Sequence, residues 1–331
     1  MNKRERLQAA IVGEAVDRPP VAFWRHFPGD DQDPQALAQA TLAFQKRYNF
    51  DFVKVTPSSA FSVEHWGVET VWRGNQEGTR EYIRRRIQTP QDWRELESLD
   101  VHQGVLGGQL RCLRLVKEGL EDKTPVLQTI FNPLAVARYL RGEAFLVDLR
   151  RNPEELRTGL ETIADTVARF AEAAIEEGAD GIFLAVQQAS YRILNEAEYR
   201  EFGVPYDRRV LEAASRGWFH LLHLHGEDVL FELLADYPVQ AINWHDRSTP
   251  PSLAEGKRLS RGAVVGGLRQ WETLLQDTPE QVRAEVREAL AQTGGRRYMV
   301  GAGCVIPLTT PERNLRAAIE AAGADPGSFS S

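Results

Sequence analysis

Short runs of β-forming residues alternate with helical segments about eight times along this chain, and that alternation restricts the fold more than any other feature. The runs are PVAFW near 20–24, DFVKVT at 51–56, TPVLQTIF at 124–131, GIFLAV at 181–186, WFHLLHLH at 218–225, PVQAINWH at 238–245, GAVVGGL at 262–268 and RYMVGAGCV at 297–305. Strands joined through helices run parallel, because parallel neighbours need a crossover connection. Eight such units predict an α/β fold, a single-domain (β/α)8 TIM-type barrel spanning residues 1–331. A doubly wound open sheet is the alternative. It is disfavoured because no G-x-G-x-x-G follows the first run, where the chain reads RHFPGDDQDP, and because no low-complexity linker divides the chain.

The helices carry their own punctuation. In NPEELRTGLETIADTVARFAEAAIEEG, Asn152 is placed to cap, Pro153 fits the first helical position and Gly178 fits the end. Leu156, Leu160, Ile163, Val167, Phe170 and Ala174 form an apolar stripe of helical period. Thr89-Pro90, Thr278-Pro279 and Thr310-Pro311 predict three further helix starts. Residues 58–123 form a long insertion between the second and third runs, expected to hold a hairpin around Trp72 and Tyr82 plus helices.

Composition narrows the partners. A net charge of -7 argues against a nucleic-acid surface, and the basic run Arg84, Arg85, Arg86 has acidic neighbours that suit a solvated face. No apolar stretch reaches the ~20 residues needed to span a membrane, and the N-terminal residues lack the apolar segment of a signal peptide. A cytoplasmic protein is therefore expected. Cys112 and Cys304 are too few for a disulfide framework. Cys112 reads as a small core residue of a helix.

The stretch HLLHLH at 220–225 holds three His in six positions. In a barrel strand, alternate side chains point inward. Leu222 and Leu224 then face the helices, while Phe219, Leu221, His223 and His225 face the axis. The two histidines come last, at the C-terminal end where barrel active sites lie. Side chains two apart on a strand are separated by ~6.6 Å at the backbone, so both imidazoles reach one point. Cys304 ends the last run in VGAGCVIP, and Gly301 and Gly303 leave room beside it. A thiolate with two imidazoles suits Zn, with a fourth position open to a substrate. The bland reading is that such histidines are hydrogen-bonded core residues.

Other polar residues sit at strand ends. His245 and Asp246 close the sixth run beside Asn243. His245 is a fourth ligand, an acid/base or a structural residue; Asp246 is the other candidate for proton transfer, although adjacent strand residues point to opposite sides. Arg25 and His26 follow the first run. Arg25 suits a carboxylate or phosphate partner, or a structural ion pair. Lys54 lies mid-strand and reads as an ion pair or a snorkelling side chain, with a reactive amine the less favoured reading. Gln187 and Gln188 look like neutral hydrogen-bonders to a substrate. His65 and His102 read as surface or loop residues.

Several of these segments together resemble the uroporphyrinogen decarboxylase superfamily. RPPVAFWRH is similar to its opening strand, NPLAVARYLRG to its third-strand motif, EYREFGVPYDRRVLEAA to the helix before its fifth strand, and GCVIPLTTPERNLRAAIEA to its C-terminal signature. The resemblance covers nearly the whole chain. It implies a (β/α)8 barrel acting either as a porphyrinogen decarboxylase or as a zinc-dependent methyltransferase working between corrinoids and thiols.

The departures separate these branches. The decarboxylases place two Arg after the first strand, of which only Arg25 has a counterpart here. Their pyrrole-binding Asp falls at Pro57, and their C-terminal His at Cys304; their third-strand Tyr matches Tyr139. The methyltransferase zinc motif, His-x-Cys with a later Cys, matches His223 and Cys304, with His225 replacing the middle Cys.

The resemblance thus implies a Zn-dependent enzyme, with metal ligands His223, His225 and Cys304. His245 and Asp246 would handle protons, and Arg25, His26, Tyr139 and Gln187 would bind substrate. A thiol would take a methyl group from a methyl-corrinoid, with a corrinoid protein as partner and a homodimer as the family's common assembly. The alternatives are a metal-free uroporphyrinogen III decarboxylase, a metal-dependent hydrolase, and a corrinoid- or tetrapyrrole-binding protein without catalysis.

Overall fold

A computed structural model describes residues 1–324. Among these residues nine strands form, β1 (Val53–Val55), β2 (Glu69–Val71), β3 (Glu81–Arg84), β4 (Val126–Phe131), β5 (Gly181–Val186), β6 (Leu221–Leu224), β7 (Ala241–Trp244), β8 (Ala263–Leu268) and β9 (Tyr298–Ala302). β2 and β3 are the expected hairpin in the long second crossover, paired antiparallel. The other seven lie in the order β1-β4-β5-β6-β7-β8-β9, every neighbouring pair parallel. Seven of the eight predicted runs thus become strands of one curled sheet.

The first run departs from expectation. Residues 20–24 make no ladder, only a bridge between Val21 and Val300. They nevertheless occupy the eighth place. Ala22 N–H donates to the Val300 carbonyl at 3.1 Å, and Asp51 N–H, just before β1, donates to the Val21 carbonyl at 2.9 Å. The curled sheet is therefore joined from β9 back to β1 through this segment. Pro19 and Pro20 have no N–H for a ladder. The Val21 N–H goes instead to the Asp51 carboxylate at 2.7 Å. Asp51 is fully buried and also holds Arg6 and Arg18, each at 2.7 Å.

Aromatic side chains from different strands fill the barrel. Trp24 packs on Phe183 with centroids 5.2 Å apart and lies 6.3 Å from Phe52. Phe52 meets Phe219 edge-on at 5.2 Å. This places Phe219 inside, as the strand alternation predicts. The layer closes the barrel beneath the C-terminal ends of the strands and forms a floor for whatever sits above.

The helix Pro153–Glu176 matches its sequence signals, with Pro153 in the first turn and Gly178 in the left-handed region at φ 97°. Asn152 takes the cap position without a side-chain hydrogen bond. Thr278 does cap the helix Pro279–Thr293. Thr89-Pro90 opens a short 3-10 helix, Pro90–Glu95, rather than an α-helix. Pro311, not Thr310, is the cap residue of the helix Glu312–Ala321, because the Thr310 hydroxyl is turned back to the Pro307 carbonyl at 2.8 Å. Cys112 is buried in the helix Gly104–Gly119, which serves as the crossover between β1 and β4. The 58–123 stretch is thus a crossover with additions.

Two segments distant in sequence are tied together in the core. Asn132 caps the helix Pro133–Arg141, which carries Tyr139. Its amide donates to Asp207 at 2.9 Å and to the Tyr199 hydroxyl at 3.2 Å. The Tyr199 and Tyr237 hydroxyls donate to the same carboxylate at 2.6 and 2.9 Å. Burial pushes Asp207 up to about 6 against the effect of these donors. Removing the acceptor would strand three buried donors, each costly to leave unmet. Asp207→Ala is expected to lower stability by about 3 kcal/mol or more; urea unfolding measures this, and a cost below that of Tyr199→Phe would contradict it.

Candidate metal-binding site

His223, His225, His245 and Cys304 converge at the C-terminal ends of the strands. One ligand atom from each lies within 4.8 Å of all the others. Cys304 Sγ is 3.6 Å from His223 Nε2 and 3.6 Å from His225 Nδ1. The ring centroids of His225 and His245 are 5.3 Å apart. The alternation of the strand puts His223 and His225 on one side, and His225 extends just beyond the end of β6.

The approach of Cys304 to His245 depends on a glycine. A Cβ on Gly303 would stand 3.0 Å from the His245 Cα and 3.4 Å from the Trp244 carbonyl oxygen, and one on Gly301 would lie 3.1 Å from Val265 Cγ1. These glycines therefore admit neighbouring backbone and side chains rather than opening space for a ligand, which corrects the sequence expectation.

Hydrogen bonds define the ring states. The Asn243 amide donates from Nδ2 to the carbonyls of Val265 at 2.9 Å and Ala302 at 3.0 Å. Its oxygen must then face His223 Nδ1, 2.7 Å away. An amide oxygen only accepts, so His223 carries its proton on Nδ1 and aims the Nε2 lone pair at Cys304. Such an outer partner is what a metal-bound imidazole needs. His245 Nδ1 lies 3.3 Å from the Gln270 amide, while its buried Nε2 has no partner among the described residues. Burial holds His223 well below its ordinary pKa, and brings His225 and His245 down to about 4. All three are neutral near pH 7, the state that ligates. Burial, with Glu77 adding to it, pushes the metal-free Cys304 thiol up to about 12. The donor set can hold a metal ion, since one sulfur and three nitrogens are the ligand types of a tetrahedral site.

A cavity of about 160 Å³ opens beside this cluster. Its floor and walls include Trp24, Phe183, Phe131 and Tyr139, and its polar lining includes His26, Lys54, Glu77 and Gln187. Tyr139 stacks on Tyr82 of the hairpin at 5.7 Å. His26 Nδ1 donates to the Pro57 carbonyl at 3.1 Å, and burial brings its pKa down to about 3.

Arg25 is not among the lining residues. Its neighbours Trp24 and His26 take the inward positions, and Arg25 turns outward over the Phe27 ring at 5.1 Å while donating to the Leu308 carbonyl at 3.2 Å. Asp246 likewise stands outside the cavity. It accepts from the Gly267 N–H at 3.1 Å and is packed so closely on β8 that a Cβ at Gly266 would clash with it. Gln188 is buried away from the cavity, with neither amide atom partnered among the described residues. His220 is structural, its Nδ1 accepting from the Ile182 N–H at 3.2 Å. His65 and His102 are exposed.

Sequence reasoning missed Glu77. It sits on the loop between β2 and β3, held by the Leu308 N–H to Gln76 carbonyl bond at 2.7 Å. Nothing in GNQEGT distinguishes it from an ordinary turn, and only the docking of the hairpin brings it to the cavity. Burial raises its pKa above the usual carboxylate value.

A parallel α/β barrel with a His/Cys cluster at its C-terminal mouth is the class of protein these features define. Residues 2–324 match the uroporphyrinogen decarboxylase (URO-D) family, and the chain belongs to that family. It is 24% identical to a methylcobamide:CoM methyltransferase of Methanosarcina mazei over 96% of this chain and 97% of the relative. It is 25% identical to a uroporphyrinogen decarboxylase of Chlorobium phaeovibrioides over 71% of this chain and 69% of that one. Its fold is that of a solved methyltransferase from Methanosarcina mazei, with a TM-score of 0.86, 22% identity and 98% of both chains covered. No helix among the described residues is long and apolar enough to cross a membrane.

The tautomer of His223 is directly testable. Long-range nitrogen–proton NMR correlations of the metal-free protein should show Nδ1 protonated and Nε2 bare; a proton on Nε2 would contradict the Asn243 geometry.

Proposed function

We propose that this chain is a zinc-dependent methyltransferase that transfers a methyl group from a methylated corrinoid, carried by a partner protein, to the sulfur of a small thiol. The observation that carries this reading is the convergence of His223, His225, His245 and Cys304 within 4.8 Å, with the His223 lone pair aimed inward by Asn243. The names of the similar methyltransferases supply the reaction class. The cavity's size supplies a limit, since about 160 Å³ is close to the ~150 Å³ that holds a benzene-sized ligand. A small thiol fits within it.

His223 Nε2, His225 Nδ1 and Cys304 Sγ would hold the ion, with the unpartnered His245 Nε2 as the fourth ligand or the position that a thiol takes over. Zinc bound there lowers the pKa of a thiol and supplies a thiolate near neutral pH. Asn243 orients His223 throughout. Trp24 and Phe183 form a dry floor that strengthens electrostatic interactions at the sulfur. Glu77, the carboxylate lining the cavity, takes the thiol proton on a carboxylate oxygen; Asp246 is not among the cavity's lining residues. The sulfur lone pair forms the new S–C bond, and the cobalt–carbon bonding pair stays with the corrinoid.

Replacing two thiolates by one thiolate and additional imidazoles makes the site less negative and a stronger Lewis acid. Purified protein should bind one zinc ion, and Cys304→Ala should lose it by elemental analysis. Chelation should abolish thiol methylation from methylcobalamin, and zinc should restore it; activity that survives full metal removal would sink the proposal. Asn243→Ala should weaken zinc binding about 10–100-fold in competition with a chelating dye. Glu77→Gln should lower kcat about 100-fold or more with zinc content unchanged. No conversion of uroporphyrinogen to coproporphyrinogen is expected.

A further inference from the structure

Lys54 is not explained by the zinc site. Among the described residues two Lys or Arg side chains are buried, Arg6 and Lys54. Arg6 is neutralised by Asp17 at 2.8 Å and Asp51 at 2.7 Å. No carboxylate among the described residues pairs with Lys54. Its Nζ donates to the Thr56 hydroxyl at 3.2 Å and rests 4.6 Å from the centroid of the Phe183 ring, whose plane stacks on His223 at 5.4 Å. An ammonium has three N–H donors, so two remain after Thr56. The residue is 7% exposed, so it is a buried lysine facing the cavity rather than the ion pair or the snorkelling lysine expected from sequence. It lines the same cavity as Cys304, His223 and His225.

A buried charge without a counter-ion is costly, and the cost is offset when a ligand brings the opposite charge. Lys54 stands where a molecule bound at the cluster would meet it. The cavity's carboxylate, Glu77, is supplied from the hairpin loop rather than from the strand that bears Lys54. Burial brings Lys54 down to about 7, with the field of Cys304 opposing that fall. The arrival of an anion would hold the amine in its charged form.

We infer that Lys54 is a specificity-determining residue that binds an acid group on the thiol substrate, so that the cavity selects thiols carrying a carboxylate-type anion over neutral thiols of the same shape. This rests on the methyltransferase reading only for the identity of the sulfur ligand. The anion contact itself needs no metal. A charge-assisted contact in a buried site supports a preference of about tenfold or more.

The test is a calorimetric titration of zinc-loaded and chelated protein with 3-mercaptopropionate and its neutral counterpart 3-mercaptopropanamide, with propionate as the sulfur-free control. Wild-type protein should bind the acid about tenfold or more tighter than the amide. Lys54→Met should remove that preference, with affinity for the amide and zinc content unchanged. Met replaces a buried charge by an apolar chain of similar length, and an unchanged or raised Tm verifies that the variant folds. A wild type that binds acid and amide equally, with or without zinc, overturns the inference, as does a preference that persists in Lys54→Met. Should 3-mercaptopropionate bind no better than propionate whether or not zinc is present, the zinc–thiol reading fails; a Lys54-dependent acid preference in that same protein would still support the anion contact.

Discussion

One carboxamide holds the centre of this protein together. Asn243, on β7, donates to backbone carbonyls of Val265 on β8 and Ala302 on β9 while accepting from His223 on β6. It is completely buried, so each of these bonds replaces water that cannot enter. The amide cannot reverse without facing two carbonyls with its own oxygen. Its orientation therefore fixes the proton on His223, and through that proton the direction of the lone pair. The register of four strands and the chemical state of one imidazole are set by the same residue.

The surroundings act on the cluster through burial. Desolvation keeps the three imidazoles neutral and the metal-free thiol protonated. Four neutral polar groups packed together with few hydrogen-bond partners would be a liability in an ordinary core. Here they face a small cavity over an aromatic floor, and glycine at 303 lets the end of β9 approach the end of β7. The same floor isolates Lys54. A family that includes both decarboxylases and methyltransferases thus appears in this chain with a compact polar centre, the His223 imidazole stacked on the Phe183 ring and the Lys54 ammonium near that same ring.

The legibility of the site followed the regularity of the backbone. His223 and His225 were readable because side chains on a strand alternate with a period of two, and Cys304 because it ends a strand that closes the same barrel. Arg25 and His26 were harder. They lie at the end of a segment that forms one bridge rather than a ladder, so its phase was not anchored, and Trp24 and His26 took the inward positions that left Arg25 outside. Asp246 follows the end of β7, where alternation already favours the opposite face from His245. Glu77 had no periodic signal, because it belongs to a turn.

The sequence by itself determined the parallel α/β architecture, the order of its units, the family and the placing of His223, His225 and Cys304 at strand ends, because these depend on local periodicity and on short motifs. The tertiary structure decided which polar residues share the cavity, that His245 joins the cluster, that Asn243 sets the tautomer of His223, and that Lys54 is left without a counter-ion. Those outcomes depend on how strands and loops far apart in the chain are docked against one another, and on the desolvation that follows. Neither is encoded in the spacing of neighbouring residues.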